Sequence, residues 1–323
     1  MNVLVVLINY KTPELTLRAL EAVVGELDRV PGSRVALVDN GSGDGSVETL
    51  AAALDQKGWR ELVDLVPSPT NLGFAGGVNL PLRAALRSAD PPRYLYLLNS
   101  DARPAPGALA SLVRFLDAHP DAGIAGSYIH GPDGETHDTA FRFPTAASQF
   151  EQAIGVGVVS RLLDRWVVSK PVPTVTTKVD WLAGASMLIR ADLFARIGLY
   201  DENYFFYFEE TDFCLRAARA GFATWYVPES RVEHIGAVSS GWKDRSKPRA
   251  AYWWEGRRWF YYKNHGLAYL WLANLAWLAG FLLGEPRRLL TGRKGPFPPR
   301  FFRDFLRYNF TFRPLGRGLP VDA

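Results

Sequence analysis

The chain has 323 residues, 48% of them hydrophobic and 22% charged, a balance that excludes intrinsic disorder, collagen and coiled coil as descriptions of the whole. Its length predicts one large domain with an appendage, and its single cysteine, Cys214, excludes a disulfide framework. The net charge of +4 divides into −7 over residues 1–242 and +11 over residues 243–323, which predicts an acidic domain followed by a basic extension.

The first hundred residues alternate short apolar runs with amphipathic stretches, the pattern of parallel strands joined by crossover helices. The predicted strands cover residues 3–8, 35–38, 62–66 and 94–98. The helices predicted to follow them carry Leu17 and Leu20 in the first case, and lie around residues 47–54, 80–86 and 109–116 in the others. A sheet of this kind binds ligands beyond the carboxyl ends of its strands, which is where the polar residues of this region lie.

Two glycine-containing loops follow the second and third predicted strands. The first, residues 39–46, begins with Asp39 and lacks both the Walker and the dinucleotide spacing of glycines. It is either a loop that binds a phosphate or a base, or a tight turn. The second, residues 71–79, holds three glycines in five residues, which lets the backbone approach a ligand closely but also suits a plain strand-to-helix turn.

Asn99 and Asp101 follow the fourth predicted strand. A carboxylate at this place is suited to hold a divalent cation on oxygen ligands beside a diphosphate. Asp101 instead caps the next helix if Pro104 and Pro106 mark the start of that helix. Both interpretations stay open on this segment alone.

Periodicity weakens after residue 123, and residues 131–178, rich in Gly, Pro and Thr, are predicted to form a variable loop region. Strand-like segments return at residues 179–190, around Gly184, and at residues 222–227. His234 follows the second of these segments. A lone histidine usually has a structural role, but this one is a candidate to complete an oxygen-rich cation site or to contact a phosphate.

The most informative segment is residues 205–216, where four aromatic residues precede Glu209, Glu210 and Asp212. Three carboxylates in four residues repel one another unless a cation or a proton transfer uses them. On a helix Glu209 and Asp212 share a face and Glu210 points elsewhere. This predicts Glu210 in a cleft and Asp212 in local structure with Arg216, and the alternative is a group of acids that a helix N-terminus stabilises.

The basic extension holds 18 of the 42 aromatic residues and an uncharged run at residues 267–283. As a helix the run is about 25 Å long, somewhat shorter than the hydrocarbon core of a bilayer, about 30 Å. It is predicted to lie on a membrane surface, with a membrane span and a core helix as alternatives. No recognition motif for nucleic acid accompanies the charge. The basic residues that flank the run are Arg257, Arg258 and Lys263 before it, and Arg287, Arg288, Arg293 and Lys294 after it.

Six stretches in chain order resemble the family 2 glycosyltransferases with a GT-A fold, and most of all the rhamnosyltransferase-like branch that builds bacterial surface polysaccharide. They are NYKT, VDNGSGDGS, NLGFAGGVN, LLNSDARP, the segment 181–222 and VEHIGAVSSG. The resemblance spans residues 2–245. It implies an α/β fold with a nucleotide-binding, mixed but mainly parallel sheet flanked by helices in residues 1–242, followed by the basic, aromatic helical extension, residues 243–323.

The resemblance also implies roles for single residues on the donor side. The residues expected to bind the nucleotide-sugar donor are Asn9 and Asp39 at the base, and Asn71, Gly73, Asn79 and Asn99 around the nucleotide and diphosphate. Asp101 stands where the family has the last Asp of its DxD motif and is expected to ligate Mg²⁺ or Mn²⁺. Asn99 replaces the first Asp of that motif, which leaves a thinner metal shell.

On the acceptor side, the resemblance places Glu210 as the general base and Glu209 as the acid before it. Trp181 and Gly184 are expected to frame the donor sugar and the acceptor. His234 matches a histidine that in some relatives meets the metal or the diphosphate.

The implied function is metal-dependent, inverting transfer of a sugar, with dTDP-rhamnose as the expected donor and a saccharide or lipid-linked saccharide as the acceptor. The N-terminal residues lack the features of a signal peptide, so the enzyme is expected in the cytoplasm, on the inner face of the cell membrane. Two alternatives remain. One is a nucleotidyltransferase or pyrophosphorylase, although residues 9–12 lack the basic glycine-rich loop that such an enzyme needs for a triphosphate. The other is a non-catalytic, membrane-associated binding module.

Overall fold

The first part of the chain forms the repeat of strands and helices that its hydrophobic pattern predicts. The computed structural model describes residues 1–236, 246–291 and 297–310. The strands of this part are β1 (Val3–Asn9), β2 (Arg34–Asn40), β3 (Val63–Ser68), β4 (Tyr94–Asn99) and β5 (Ala102–Pro104). The helices that follow and connect them are α1 (Pro13–Leu27), α2 (Ser46–Lys57), α3 (Gly73–Ala85) and α4 (Ala108–Ala118).

The later part of the chain adds strands to the same sheet and covers it with helices. Its strands are β6 (Ala122–His130), β7 (Ala140–Phe141), β8 (Thr177–Val179), β9 (Trp181–Leu182), β10 (Ser186–Arg190) and β11 (Ala223–His234). Its helices are α5 (Ala146–Ile154), α6 (Gly157–Leu162), α7 (Ala191–Ile197), α8 (Glu209–Arg219), α9 (Ala251–His265), α10 (Leu267–Thr291) and α11 (Phe301–Asn309).

The main sheet has the order β3-β2-β1-β4-β10-β6-β11-β5, with β8 paired to β11. Strands β1 to β4 pair in parallel, so their carboxyl ends share one edge. Strand β10 runs antiparallel between β4 and β6, and Ser186 at its start pairs with Leu98 near the end of β4. His234, the last residue of β11, pairs with Ala102 of β5. The mixed, mainly parallel sheet flanked by helices confirms the predicted fold class.

The core lies on both faces of this sheet because side chains alternate along each strand. In β1, Val3, Val5 and Leu7 pack with α1 and α4 on one face. Leu4 and Val6 pack on the other face with α3 and with residues of α8. The alternation therefore fixes the helices on each face and holds the sheet edge between them.

Two predicted boundaries were wrong. Residues 131–178 do not form one loop region, because they contain β7, α5, α6 and the start of β8. The glycine loop at residues 71–79 is largely helical, since α3 begins at Gly73 and not near residue 80. At Gly77 a Cβ atom would lie 3.1 Å from Ile8 Cδ1 and 3.3 Å from Asn40 Nδ2, so these glycines bring the helix close to β1 and β2.

The described part of the C-terminal extension is built onto the sheet domain. Helix α10 packs on α5 and α9, and α11 packs on α9. Arg257 of α9 is 2% exposed and donates hydrogen bonds to Gln149 at 2.9 Å, Asn274 at 2.7 Å and Asn309 at 2.9 Å. This one guanidinium thereby joins α9 to α5, α10 and α11.

The sequence pattern suggested that the basic residues before the uncharged run face a membrane surface. In the structure they face other parts of the fold. Arg257 and Arg258 are buried, and Lys263 forms ion pairs with Asp201 and Asp212. The expected domain boundary at residues 242/243, the end of the VEHIGAVSSG stretch, and Arg293 and Lys294 lie outside the described residues.

Candidate active site

Glu210 stands in the first turn of α8, behind a turn with unusual backbone geometry. Tyr207 and Phe208 have φ angles of 73° and 72°, in the left-handed region that non-glycine residues rarely adopt. Backbone strain of this kind persists only where the surrounding structure enforces it. The Oε2 atom of Glu210 is buried and has no hydrogen-bond partner, as is also true of Glu209 Oε2.

Burial raises the pKa of Glu210 to about 7. Glu209 is 4% exposed, and burial, followed by the charge of Glu210, raises its pKa well above the usual range. The helix N-terminus favours the charged form of both acids, but loss of water outweighs it. The arrangement gives a carboxylate that changes its charge near neutral pH, as a general base requires.

Asp101, Asn99 and His234 form a second polar cluster at the same edge of the sheet. His234 Nε2 lies 3.0 Å from Asp101 Oδ1 and 3.3 Å from Asn99 Nδ2. The backbone N–H of Gly236 donates to Asp101 Oδ2 at 3.1 Å. Burial acts to raise the pKa of Asp101. The hydrogen bond and charge of His234, together with the backbone N–H groups of Asp101 and Gly236, hold this pKa below its ordinary value.

The two clusters are joined through the start of β10. The backbone N–H of Asn99 donates to the carbonyl of Ala185 at 3.1 Å. A Cβ atom placed on the neighbouring Gly184 would lie 3.9 Å from the Cβ of Glu210. A larger side chain at Gly184 would therefore enter the space between Glu210 and the end of β4. Residues 184–185 therefore connect the end of β4 with the first turn of α8, and a site shared by the carboxylates of Asp101 and Glu210 stays a prediction.

Gly73 brings the donor-side loop against the segment that leads to Glu210. Its φ is 72°, and a Cβ atom there would overlap the carbonyl oxygen of Phe205, while the N–H of Phe74 donates to that oxygen at 2.7 Å. Asn71 Oδ1 accepts hydrogen bonds from Gly73 N at 2.9 Å and from Asn40 Nδ2 at 3.2 Å. The predicted residues Asn71 and Gly73 are thus tied to the Glu210 segment.

Asn9 and Asp39 adjoin at the ends of β1 and β2. Asn9 Nδ2 donates to Asp39 Oδ1 at 2.7 Å, and the backbone N–H of Ser42 donates to Asp39 Oδ2 at 3.1 Å. Both side chains are buried, at 0% and 1% exposure. These bonds match the tight-turn interpretation of residues 39–46, and contact with a nucleotide base stays a prediction.

Two further predicted residues, Asn79 and Trp181, make contacts that stabilise the fold, and their contact with a substrate stays a prediction. Asn79 is fully buried, and its amide bonds the backbone of Tyr200 and the carboxylate of Glu202. Trp181 stacks on Phe141 at a centroid distance of 4.2 Å. Asn79 therefore fixes α3 against the segment after α7, and Trp181 stabilises the small β7–β9 sheet.

The sequence did not single out two groups that shape the site. Asn40 binds the 71–73 loop through both atoms of its amide, donating to Gly73 O at 3.0 Å and accepting from Leu72 N at 3.1 Å. The backbone N–H of Gly236 holds Asp101. The position of Asn40 at a strand end was visible in the sequence, but a backbone donor leaves no trace in residue type.

The residues around Asp101 have the chemistry to bind a divalent cation together with the diphosphate of a nucleotide sugar. Mg²⁺ and related hard cations are usually bound by one or two protein carboxylates together with phosphate oxygens and water. No group of three or more His, Cys, Asp or Glu side chains placed to hold a metal occurs among the described residues. Asp101 and His234 would supply only part of the ligands of such a cation, and their role as ligands stays a prediction.

Two family models match the chain. The model described as glycosyl transferase family 2 matches residues 4–161, and glycosyl transferase family group 2 matches residues 94–292. An N-acetylglucosaminyl-diphospho-decaprenol L-rhamnosyltransferase of Mycobacterium tuberculosis is 29% identical over 216 residues, 64% of this chain and 68% of that protein. Rhamnosyltransferase WbbL of Escherichia coli is 28% identical over 141 residues, 44% of this chain and 52% of that protein.

Solved structures show the same fold at low identity. The structure of GalNAc-T7 with UDP, GalNAc and Mn²⁺ has a TM-score of 0.56 and 16% identity, over 95% of this chain and 56% of that one. The mannosyltransferase PcManGT of Pyrobaculum calidifontis, in complex with GDP-Man and Mn²⁺, has a TM-score of 0.53 and 16% identity, over 96% of this chain and 85% of that one.

Proposed function

Since the chain belongs to the family 2 glycosyltransferases, we propose that it transfers rhamnose from dTDP-rhamnose to a hydroxyl of a saccharide or lipid-linked saccharide, with inversion at the anomeric carbon. The rhamnosyltransferase names of two relatives support this donor sugar. The observation that carries the proposal is the buried, unpartnered Oε2 of Glu210 beside Gly184, one residue from the link to Asn99.

Glu210 acts as the general base. Its carboxylate takes the proton of the acceptor hydroxyl while the hydroxyl oxygen attacks the anomeric carbon and the bond from that carbon to the diphosphate breaks. A single carboxylate suffices for inverting transfer, because no covalent sugar–enzyme bond forms. Gly184 leaves room for the acceptor oxygen between Glu210 and the donor sugar.

Asp101 and His234 would hold a divalent cation, Mg²⁺ or Mn²⁺, at the diphosphate end of the donor. When bound, that cation neutralises the negative charge that grows on the leaving nucleoside diphosphate. The Gly236 N–H keeps one carboxylate oxygen of Asp101 in place. Asn71 and Gly73 contact the nucleotide and diphosphate of the donor, and Asn9 and Asp39 contact its nucleotide base. Mn²⁺ in two structures of this fold supports the cation.

The proposal is tested by transfer assays with purified enzyme. Nucleotide-activated sugars are offered with Mg²⁺ or Mn²⁺ and a polyprenyl-diphosphate-linked N-acetylglucosamine, and the products are analysed by mass spectrometry. Addition of one deoxyhexose from dTDP-rhamnose, with release of dTDP, is expected. Transfer from another nucleotide sugar in preference would overturn the rhamnose donor, and formation of a nucleotide sugar from a triphosphate and a sugar phosphate would overturn the reaction class.

We further propose that α10 docks the enzyme on the cytoplasmic membrane surface. Its residues Leu267–Pro286 have a mean hydropathy of 1.6 and are by length and composition able to span a membrane, with 33% of the stretch buried in the fold. One face carries large apolar side chains with exposures of 43% to 65%, namely Leu267, Trp271, Leu272, Leu275, Leu282 and Leu283. An exposed apolar face of this kind marks an interaction site, and a lipid-linked acceptor brings the enzyme to a membrane.

Replacing Leu275 and Leu282 with Glu is expected to lower binding to vesicles of anionic lipid at least 10-fold, because each buried leucine contributes about 1.5–3 kcal/mol. Sedimentation with vesicles measures it, and transfer to a soluble acceptor is expected to persist. Leu162→Glu, at another exposed leucine (78%) on α6, is the matched control. Vesicle binding by the double variant equal to that of the wild type would contradict the docking face.

A further inference from the structure

The turn before Glu210 is stabilised by helix α9. Tyr207 and Phe208 adopt consecutive left-handed conformations, which cost of order 1–3 kcal/mol each unless other contacts enforce them. Gly256 of α9 faces this turn, and a Cβ atom placed on it would lie 3.0 Å from Tyr207 O and 3.2 Å from Phe208 Cδ2. The ring of Phe208 also packs between Trp253 and Phe260 of α9, at centroid distances of 5.9 Å.

One and two turns after Gly256, charged and polar side chains of α9 bind residues of α8 and of the loop before it. Lys263 Nζ lies 2.8 Å from Asp212 Oδ2 and 2.9 Å from Asp201 Oδ2. Asn264 Nδ2 donates to Asp212 Oδ1 at 2.9 Å, and Trp259 Nε1 donates to Asp201 Oδ2 at 2.9 Å. The face of α9 that carries residues 253, 256, 259, 260, 263 and 264 is thus turned to α8 and the loop before it.

Asp212 connects this face to the catalytic helix. It is fully buried in α8, two residues after Glu210, and its other partners are Arg216 at 2.8 Å and Tyr204 OH at 3.3 Å. A buried carboxylate needs a paired cation and hydrogen bonds to offset its loss of water. Lys263 supplies a cation from a different helix, so the ion pair joins α9 to α8 beside the base.

We infer that α9 belongs to the working catalytic unit, with Gly256 and Lys263 as positioning residues that hold Glu210 against the reacting atoms. The inference rests on the proposed role of Glu210. Gly256 is needed for the closest approach of α9 to the turn, and Lys263 fixes the first turn of α8 through Asp212. Helix α10 follows α9 after the single residue Gly266, so the docking face and the base lie on connected elements.

Gly256→Ala is the main test, because its Cβ pushes the 207–208 turn while alanine favours the helix. We expect kcat to fall about 10-fold or more, since small misplacements of reacting groups are costly, while KM for the donor stays within about 2-fold. Water gains access to Glu210 as the turn loosens, so the midpoint of the kcat–pH profile is expected to move to lower pH. Gly25→Ala, with nothing within 4 Å of the added Cβ, is the matched control.

Lys263→Met and Lys263→Arg test the second positioning residue. The methionine variant is expected to lose about 10-fold in kcat, and arginine, which keeps the charge, to restore part of it. Lys57→Met removes a lysine from an exposed ion pair with Glu21 and serves as the control. Donor binding and the melting temperature are measured for each variant, so that loss of fold is separated from loss of position.

Hydrogen exchange of the amides at residues 207–212 gives a readout that needs no sugar transfer. Faster exchange in Gly256→Ala and Lys263→Met than in their controls would show that α9 holds this turn, even if the transfer assay fails and the proposed function falls. The positioning role requires the loss of kcat and the shift of the pH profile as well. An active wild type with unchanged kcat, pH profile and exchange in both variants would overturn it.

Discussion

Glu210→Gln is expected to lower kcat by about 10²–10⁴-fold, the contribution typical of a general base. Glutamine keeps the shape of the side chain but takes no proton. Binding of the nucleotide sugar is expected to stay unchanged, because the diphosphate and base contact other residues. Steady-state kinetics and calorimetric titration of the donor measure the two effects separately.

Glu209→Gln is the informative comparison for this variant. Burial and the charge of Glu210 raise the pKa of Glu209 well above its usual range. Glutamine therefore imitates the protonated form of Glu209 and leaves the base in place. We expect a smaller loss in kcat than for Glu210→Gln. If Glu209→Gln were the inactive variant and Glu210→Gln turned over near the wild-type rate, the roles of the two acids would be exchanged.

The same carboxylate predicts the pH dependence of the wild type. Burial raises the pKa of Glu210 to about 7, so kcat is expected to rise with pH up to about that value, where the base loses its proton. Once ionised, Glu210 in turn helps to raise the pKa values of Glu209, Tyr200 and Cys214, which burial already raises. A kcat that stays constant from pH 5 to pH 8 would contradict a buried base.

The raised pKa also has a consequence for stability. A carboxyl group whose pKa is higher in the folded than in the unfolded state stabilises the fold when protonated, and this contribution is lost as pH rises from the unfolded value of 4.5 to about 7. Glu210→Gln avoids the buried charge and is expected to have a higher melting temperature than the wild type at pH 8. A lower melting temperature would mean that the variant damages the fold and would weaken any conclusion from its kinetics.

Asp101→Asn is the second large effect. The variant keeps the size of the side chain but removes the charge that faces His234 and the Gly236 N–H. We expect transfer to fall at least about 10²-fold, because cation-assisted departure of a diphosphate contributes several kcal/mol. Titration of Mn²⁺ with a nucleoside diphosphate is expected to show weaker joint binding.

Asp121→Asn is the control for this variant, since Asp121 forms an exposed ion pair with Lys178 on the surface. Unchanged Mn²⁺-dependent binding in Asp101→Asn would show that the cation, if the reaction uses one, is held elsewhere. Loss of Mn²⁺ binding without loss of transfer would separate the metal site from the reaction.

Local hydrophobic pattern predicted the first half of the fold because β1, β2 and β4 are short, largely apolar and buried on both faces. The four strand–helix units contain their own signals, and the polar residues at their ends, such as Asn9 and Asn99, share one edge once the strands pair in parallel. The division of roles between Glu210 and Asp212 followed from helical spacing, and Asp212 does pair with Arg216.

Long-range packing determined the features that the sequence did not reveal. Arg257 and Lys263 are basic residues next to an uncharged run, a pattern typical of a segment at a membrane surface. In the structure they instead bind residues far away in the chain, Arg257 to Gln149 and Lys263 to Asp201. The early start of α3 depends on the close approach of Gly77 to β1 and β2. The bracing of the Glu210 turn by Gly256 likewise joins residues that no local pattern connects.

A structure of the enzyme with Mn²⁺ and a nucleoside diphosphate tests the central claim most directly. The claim is that Asp101 and Glu210 border the binding site of one sugar nucleotide. We predict an anomalous manganese peak beside Asp101 and His234, with the diphosphate next to it and Glu210 facing the open end of the diphosphate. A nucleotide bound at another surface, or a manganese peak away from Asp101, would contradict the account.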